Sequence, residues 1–205
     1  MGNIMSIILQ GSTSGSVTLQ EPAVAGTTVL DLPAVSGTIL TTGSSGQSIP
    51  KAALPTGSVL QVVSAVYSTY TEVQSTSFTD SGLTASITPT SSSSKILVIL
   101  NPAIGVYRNS AVNLIGGMNI VRGSTQISQL DSIAIQAGTG SGGYVVLGTA
   151  ASFIYLDSPA TTSSTTYKMQ MKINSTASGG TIRLNDFITT TGDTKSTITL
   201  MEIAA

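Results

Sequence analysis

The sequence contains no cysteine and no histidine. Without cysteine the chain forms no disulfide and offers no thiolate to zinc, to an iron–sulfur cluster or to nucleophilic catalysis. Without histidine it lacks the side chain that most often serves as a general base near neutral pH. These two absences remove most familiar hydrolytic and metal-dependent designs. They predict a protein that is not an enzyme and that needs no cofactor.

Charge is also scarce. Only 8% of the residues are charged and the net charge is −1, whereas charged residues make up about 25% of an average domain. The eight lysines and arginines are spread singly along the chain, so no basic patch is expected to bind nucleic acid or an anionic membrane surface. The surface is therefore expected to be rich in hydroxyl groups.

Long apolar runs are missing as well. The longest runs are far shorter than the roughly 18 residues of a membrane-spanning helix, so no membrane insertion is expected. The first residues, Met1–Leu9, lack the basic segment and the long apolar segment of a secretory signal. We therefore expect the chain to stay in a cytoplasm until it is assembled.

A short repeat occupies the N-terminal region. Gly15, Gly26 and Gly37 recur every 11 residues, and Pro22 and Pro33 each follow a glycine by seven. Proline avoids central strands and glycine permits a tight return, so each unit predicts a short β-strand closed by a turn. Such strands have little core of their own. Residues 1–45 are therefore predicted to form an extended β arm that attaches to a partner surface through its apolar side chains, Val17, Leu19, Val29, Leu30, Leu32 and Ile39.

Residues 46–57 are predicted to be a linker, and residues 58–205 a β domain. Within this domain Tyr167–Ile173 and Leu83–Thr88 alternate apolar and polar residues, which is typical of half-buried antiparallel strands. Lys95–Leu100 and Phe153–Leu156 are almost continuously apolar. Such strands are expected to be covered on both faces, by a second sheet on one side and by a neighbouring subunit on the other.

Other strand patterns are separated by turns rich in glycine, serine and threonine, and no window shows helical periodicity. About eight to ten short strands are expected in the β domain. The predicted fold is therefore all-β, with the N-terminal arm followed by a jelly-roll-like antiparallel β-sandwich. The additional strands are predicted at Val59–Tyr67, Gly117–Val121, Ser132–Gln136, Thr181–Phe187 and Thr197–Ile203.

Two sequence patterns resemble functional sites, one a pyrophosphate-binding loop and the other a pair of catalytic carboxylates, but both have simpler interpretations. Gly138–Gly143 has the spacing of a pyrophosphate-binding loop, but the segment after it is β-rich where that motif requires a helix, so a loop between strands is favoured. A glycosidase needs two facing carboxylates, for which Asp157, Asp186 and Asp193 are the candidates. Asp157 and Asp193 stand in turn-like contexts in which aspartate bonds its own backbone, so a turn role is favoured over catalysis.

Tyrosines are the side chains best suited to stacking on sugar rings, since the chain has no tryptophan. Tyr155 and Tyr167 alternate with core positions and are expected to pack inside the domain. Tyr70 and Tyr107 remain as candidate contacts to a glycan.

Several stretches resemble structural proteins of marine tailed bacteriophages. The arm sequence at residues 15–38 resembles N-terminal segments of tail-fibre-like proteins, and residues 87–98, 156–162 and 196–203 resemble a β-sandwich module of such virion proteins. The resemblance implies a protein assembled in the host cytoplasm and displayed on the virion surface. The short length favours a capsid decoration, cement or head-fibre protein.

The resemblance also implies partners. A homotrimer is expected, together with contacts to the major capsid protein or to tail components. A short tail fibre or adhesin that binds a host surface glycan is the alternative, and the sequence leaves a head or a tail location open.

Overall fold

The computed structural model describes residues 6–10, 13–14, 16–20, 54–108, 114–136, 145–176, 179–185 and 194–205. These residues form fourteen strands and no α-helix, and every strand pairing is antiparallel. The prediction of an all-β fold is confirmed. Across these same segments no helix has the length and apolar character needed to cross a bilayer. The chain divides into two compact units, Met1–Ser48 and Ile49–Ala205.

The first unit contains one described hairpin. Strand β1 (Ser6–Gln10) pairs with β2 (Ser16–Gln20), and Leu9 lies opposite Val17. Strand β2 coincides with the strand predicted for the first 11-residue repeat. The second and third repeats, from residue 25 onward, lie outside the described residues, so the arm stays a prediction there.

The described residues of the second unit form twelve strands. They are β3 (Val59–Tyr67), β4 (Thr71–Val73), β5 (Thr79–Ile87), β6 (Lys95–Asn101), β7 (Ala103–Arg108), β8 (Leu114–Arg122), β9 (Thr125–Gln136), β10 (Val145–Ala150), β11 (Phe153–Asp157), β12 (Thr165–Ile173), β13 (Thr181–Leu184) and β14 (Ser196–Ile203).

These strands form three four-stranded sheets, in the orders β11-β6-β14-β3, β10-β7-β13-β4 and β5-β12-β8-β9. The first two sheets continue one another, because the strands at equivalent places in the two orders follow each other along the chain. They therefore make one layer of four long, interrupted strands, and the third sheet makes the second layer.

Counted in this way along the chain, the eight long strands are β3 with β4, β5, β6 with β7, β8, β9, β10 with β11, β12, and β13 with β14. One layer contains the sixth, third, eighth and first of these, in that order. The other layer contains the second, seventh, fourth and fifth. Eight antiparallel strands wound between two layers in this order form a jelly roll. The jelly-roll-like prediction is confirmed by the topology itself.

The interruption of the long strands has identifiable causes. Pro102 separates β6 from β7, since proline has no N–H to give to a neighbouring strand. Asn185 ends β13 with a φ of 59°, and its amide donates to the carbonyls of Tyr67 at 2.8 Å and Thr69 at 3.1 Å. The Ser196 hydroxyl donates to Asn185 Oδ1 at 2.6 Å. Polar side chains thus bond the backbone groups that the break would otherwise leave unpaired.

The core lies between the two layers and is made by the inward half of each alternating strand. Tyr167, which was predicted to be internal, is fully buried, and Tyr155 packs against the core while partly exposed. The other large side chains that are fully buried include Leu83, Ile96, Val98, Leu100, Met169, Met171, Ile198 and Leu200.

The two outer faces differ in chemistry. On β5-β12-β8-β9 the outward positions carry the polar outer face, which we define by Asp80, Asp131, Lys168, Gln170 and Lys172. On β11-β6-β14-β3 they carry the apolar outer face, which comprises Val62, Leu97, Ile99, Ile154, Leu156 and Met201. Ile154 and Leu156 are 58% and 54% exposed. For β6 and β11 the expected cover by a second sheet is confirmed, whereas cover by a neighbouring subunit stays a prediction.

Candidate functional site

The structure brings Tyr70 and Tyr107 to the same surface, around Arg183. Tyr70 precedes the edge strand β4, Arg183 lies on β13 and Tyr107 lies on β7, and these strands are neighbours in the order β7-β13-β4. The Arg183 guanidinium carbon is 3.8 Å from the centroid of the Tyr107 ring and 5.9 Å from that of Tyr70. We call Tyr70, Glu72, Tyr107, Thr181 and Arg183 the tyrosine–arginine cluster.

Glu72 links the members of this cluster. Its Oε2 accepts hydrogen bonds from the Tyr70 hydroxyl at 2.7 Å and from Arg183 Nε at 2.7 Å, with the Thr181 hydroxyl at 3.4 Å. The Tyr70 hydrogen bond, followed by the charge of Arg183, holds the pKa of Glu72 below its ordinary value despite partial burial. The carboxylate is therefore ionised throughout the neutral range and is a poor proton donor.

The local sequence explains why Arg183 lies flat over Tyr107. In the pairing of β13 with β7, Arg183 lies opposite Gly105, and Thr181 lies opposite Tyr107. Gly105 has no side chain, so the guanidinium has room to extend across the strand onto the neighbouring tyrosine ring. A planar cation over an aromatic face is a favourable arrangement.

This cluster has two chemical capacities. The Tyr70 side chain is 48% exposed, and a tyrosine ring beside a carboxylate and a guanidinium can stack on a sugar ring while the charged groups bond its hydroxyls. The same contacts also fasten the three-residue strand β4 to the sheet. The geometry is therefore suited to binding, and it contains no nucleophile paired with a general base.

Asp157 corrects the interpretation made from sequence. It was predicted to be a turn residue that bonds its own backbone, but its side chain is buried at the end of β11. Both carboxylate oxygens lie 2.9 Å from Arg122 Nη1, and Oδ2 accepts a hydrogen bond from the Tyr167 hydroxyl at 2.7 Å. Burial, and then this hydrogen bond, raise the pKa of Tyr167. Asp157 therefore joins the two layers of the sandwich, since Arg122 and Tyr167 belong to the other layer.

The remaining chemical candidates lie outside the described residues. Asp186, Asp193 and the glycine-rich segment Gly138–Gly143 fall there, so the structure does not bear on their predicted turn and loop roles. In the described part of the chain, no three acidic side chains are grouped closely enough to hold a metal ion.

A second buried carboxylate belongs to Glu202 on β14. It accepts hydrogen bonds from the Thr90 backbone N–H at 2.6 Å and hydroxyl at 2.7 Å, and from the Gln61 amide at 2.6 Å. Burial raises the pKa of Glu202, but these hydrogen bonds together lower it below its ordinary value. The described residues that line a neighbouring cleft of about 530 Å³ are serines, threonines, leucines and alanines, and none of them has a charged side chain for acid–base chemistry.

The predicted attachment residues are only partly described. Val17 and Leu19 lie on β2, opposite Leu9 and Ile7 of β1. Val29, Leu30, Leu32 and Ile39 lie outside the described residues. The assignment of all six to attachment stays a prediction.

No protein-family model and no curated protein matches the chain. Among solved structures, the chain is similar to one described as the structure of infectious bursal disease virus, Gt strain, at 14% identity and a TM-score of 0.25, over 98% of this chain and 47% of the other. It is also similar to a mutant VP2 protein of the same virus in T=1 particles, at 14% identity and a TM-score of 0.29, over 100% of this chain and 48% of the other.

The chain thus spans about half the length of these two viral chains. At TM-scores this low, the similarity supports no conclusion about function. The fold assignment rests on the strand order of the chain itself.

Proposed function

We propose that this protein is a structural component of a bacteriophage particle, displayed on the virion surface as a capsid decoration, cement or head-fibre protein and assembled as a homotrimer. It performs no catalysis. Its partners are further copies of itself and other virion proteins, such as the major capsid protein or tail components.

The observation that carries this proposal is the eight-strand jelly roll in the order described above, a fold that viral capsid and lectin domains use. Fold alone does not define function. Two further features support the proposal: the resemblance of residues 15–38 to arms of tailed-phage proteins, and an outer face of apolar side chains on a chain that has few charges.

Labelling of intact particles tests the proposal. An antibody raised against residues 49–205 should decorate purified virions at regular positions in electron micrographs, on the head for a decoration or head-fibre protein. Purified particles that lack the protein, from infections in which it is abundant in the cell lysate, would contradict a virion role.

We propose that the N-terminal arm attaches the protein to the particle. Deleting residues 1–45 should leave a folded protein, since residues from Ile49 onward form a compact unit of their own. The truncated protein should no longer bind particles stripped of the native protein. Binding at full occupancy would move the attachment surface to the sandwich.

A second function is favoured by one observation, the exposed tyrosine–arginine cluster. In this alternative the protein is a short tail fibre or adhesin that contacts a host surface glycan through Tyr70 and Tyr107. Binding of the protein to host polysaccharide should then be lost in Tyr70→Ala and largely retained in Tyr70→Phe, because the phenylalanine ring still stacks. Equal binding by Tyr70→Ala and by the unmodified protein would remove the cluster from consideration.

A further inference from the structure

The apolar outer face extends across four strands in register. Leu156 of β11 lies opposite Leu97 of β6, which lies opposite Met201 of β14, which in turn lies opposite Val62 of β3. This row is apolar from one edge of the sheet to the other. Leu156 and Val62, at the two edges of the sheet, are each 54% exposed.

The adjacent row combines apolar and hydroxyl side chains. Ile154 lies opposite Ile99, Ile99 opposite Thr199, and Thr199 opposite Ser64. The hydroxyls of Ser64 and Thr199 are 3.1 Å apart and bonded to each other. Ile154 is 58% exposed, so this row also presents apolar surface to solvent.

The charged side chains at this face are two lysines at its ends, Lys95 and the exposed Lys195, which immediately precedes β14. Lys95 begins β6, and its ammonium donates to the Ser158 hydroxyl at 2.8 Å. No carboxylate lies on the outward positions of the described strands β3, β6, β11 and β14. By contrast, the ion pairs of the polar outer face join Lys168 to Asp80 at 2.7 Å and Lys172 to Asp131 at 2.9 Å.

We propose that the apolar outer face binds the same face of a second copy of this chain. The chemistry of the face selects this occupant. An apolar side chain is complementary to another of its kind, and a hydroxyl both donates and accepts, so a face built of these groups is complementary to itself. A charged partner would lose its hydration and find no opposite charge to compensate.

The area of the face supports weak pairing through this surface alone. Four strands about 4.8 Å apart and three outward rows about 6.8 Å apart, of which the third contains Val66, Thr197 and Asn101, give a face of roughly 400 Å². This is comparable to the largest apolar patch of an average monomer, which is often functional. It is about half of what one partner contributes to a standard interface of roughly 800 Å² per side. A face that pairs with itself joins two copies about a two-fold axis, so this contact is separate from the three-fold contacts of the proposed homotrimer and links one trimer to another. The inference deepens the proposed function, and rests on it only for the role of the assembly on the particle.

The test is sedimentation of the full chain over roughly 1 to 500 µM, a concentration range in which weak pairing is detected. The unmodified protein should associate reversibly. Leu156→Lys should raise its dissociation constant at least about tenfold, because an ammonium would be buried without a partner. Ser86→Lys is the matched control: Ser86 is an exposed residue on β5, the edge strand of the other layer. This control should associate as the unmodified protein does.

Two further variants keep the test decisive. The double variant Ile154→Ser, Leu156→Ser removes apolar area without adding charge and should also weaken association. A mixture of Leu156→Lys with Leu156→Glu should associate more tightly than Leu156→Lys alone, since the charges added to the two faces then have opposite signs. A mixture that associates no more tightly than Leu156→Lys alone would contradict pairing of this face with itself.

An unmodified chain whose oligomeric state does not change over the whole range, or a Leu156→Lys chain that associates as tightly as the unmodified one, would overturn the proposal. Neither result depends on particle labelling. A failure of self-association is therefore distinguishable from a failure of the virion role.

Discussion

Each of the two outer faces of the sandwich is formed by the outward residues of antiparallel strands, but one face is polar and the other is apolar. On β12 the outward residues are polar and Lys168 and Lys172 form ion pairs, whereas on β6 the outward Leu97 and Ile99 are as apolar as the inward Val98. Alternation therefore reveals which side of β12 faces the core. The absence of alternation on β6 indicates that its second side also requires cover.

One ion pair lies between the layers and not on an outer face, and its carboxylate, Asp157, has a side chain that is only 7% exposed. Replacing Asp157 with alanine would leave the buried Tyr167 hydroxyl without its acceptor and Arg122 with only the Ser158 carbonyl, at 3.2 Å. The Arg122 side chain is 30% exposed, so water compensates in part. We expect the free energy of unfolding to fall by about 2–4 kcal/mol, measured by urea denaturation.

Asp80→Ala is the control for this variant, because Asp80 also accepts from a cation but is exposed. Its effect should stay below about 1 kcal/mol. Equal losses in the two variants would show that burial between the layers adds nothing to the Asp157 contacts.

A glycine on the polar side also maintains contact between the layers. Gly82 of β5 has a φ of 91°, and a Cβ there would collide with the ring of Tyr67 from the other layer. Gly82→Ala should therefore lower the free energy of unfolding by about 2–3 kcal/mol, through backbone strain and steric overlap.

Gly57→Ala separates the two causes. Gly57 has a similar φ of 89°, but a Cβ there would meet nothing within 4 Å. The free energy of unfolding of Gly57→Ala should fall by only about 1 kcal/mol, which is the cost of this backbone conformation for alanine. If both alanine variants unfold at the same urea concentration, the contact with Tyr67 has no energetic role.

Lowering the pH should weaken the hydrogen bonds and ion pairs of the carboxylates and leave the apolar outer face unchanged. Hydrogen bonds lower the pKa values of Glu72, Asp80, Asp131 and Glu202 in the folded protein. Groups of this kind stabilise the fold above their unfolded pKa, and the contribution disappears as the pH falls through the folded pKa.

The melting temperature should therefore decrease below about pH 4.5, the ordinary value for glutamate, and change little from about pH 5.5 to 8, since the chain has no histidine. Melting followed by circular dichroism across this range is the measurement. A transition centred near pH 6.5 would contradict it.

The smallest effect is expected for a single ion pair of the polar outer face. Lys168→Ala removes the contact with Asp80, and both side chains are partly exposed, at 27% and 53%. The free energy of unfolding should fall by about 0.5 kcal/mol or less, and the difference should shrink at about 1 M salt. A larger loss that persists in salt would indicate a role beyond the ion pair.

Much of the fold could be predicted from sequence because several strands alternate or contain long apolar runs. Val59–Tyr67 was predicted with the bounds the structure has, and β6, β11, β12 and β14 differ only at their ends. The prediction missed β4 and β7. Three residues are too few to show a period, and β7 follows Pro102 and contains Gly105, which both weaken a strand pattern.

The site was harder to predict. Tyr70 and Tyr107 were predicted as candidate glycan contacts, but Arg183 and Glu72 were missed. These four residues lie on or directly beside three strands that are distant in sequence, and only the sheet order brings them together. Asp157 was misinterpreted because its context, followed by serine and proline, is typical of a turn.

The strand order also has a consequence for synthesis. Strand β14 lies between β3 and β6 and pairs with both, so neither can complete its hydrogen bonding until residues 196–203 have left the ribosome. Pairing the first long strand with the last implies a high contact order and slow folding. Until β14 inserts, the newly made chain exposes two apolar strand edges, and we expect its yield in the cell to depend on chaperones and on temperature during expression.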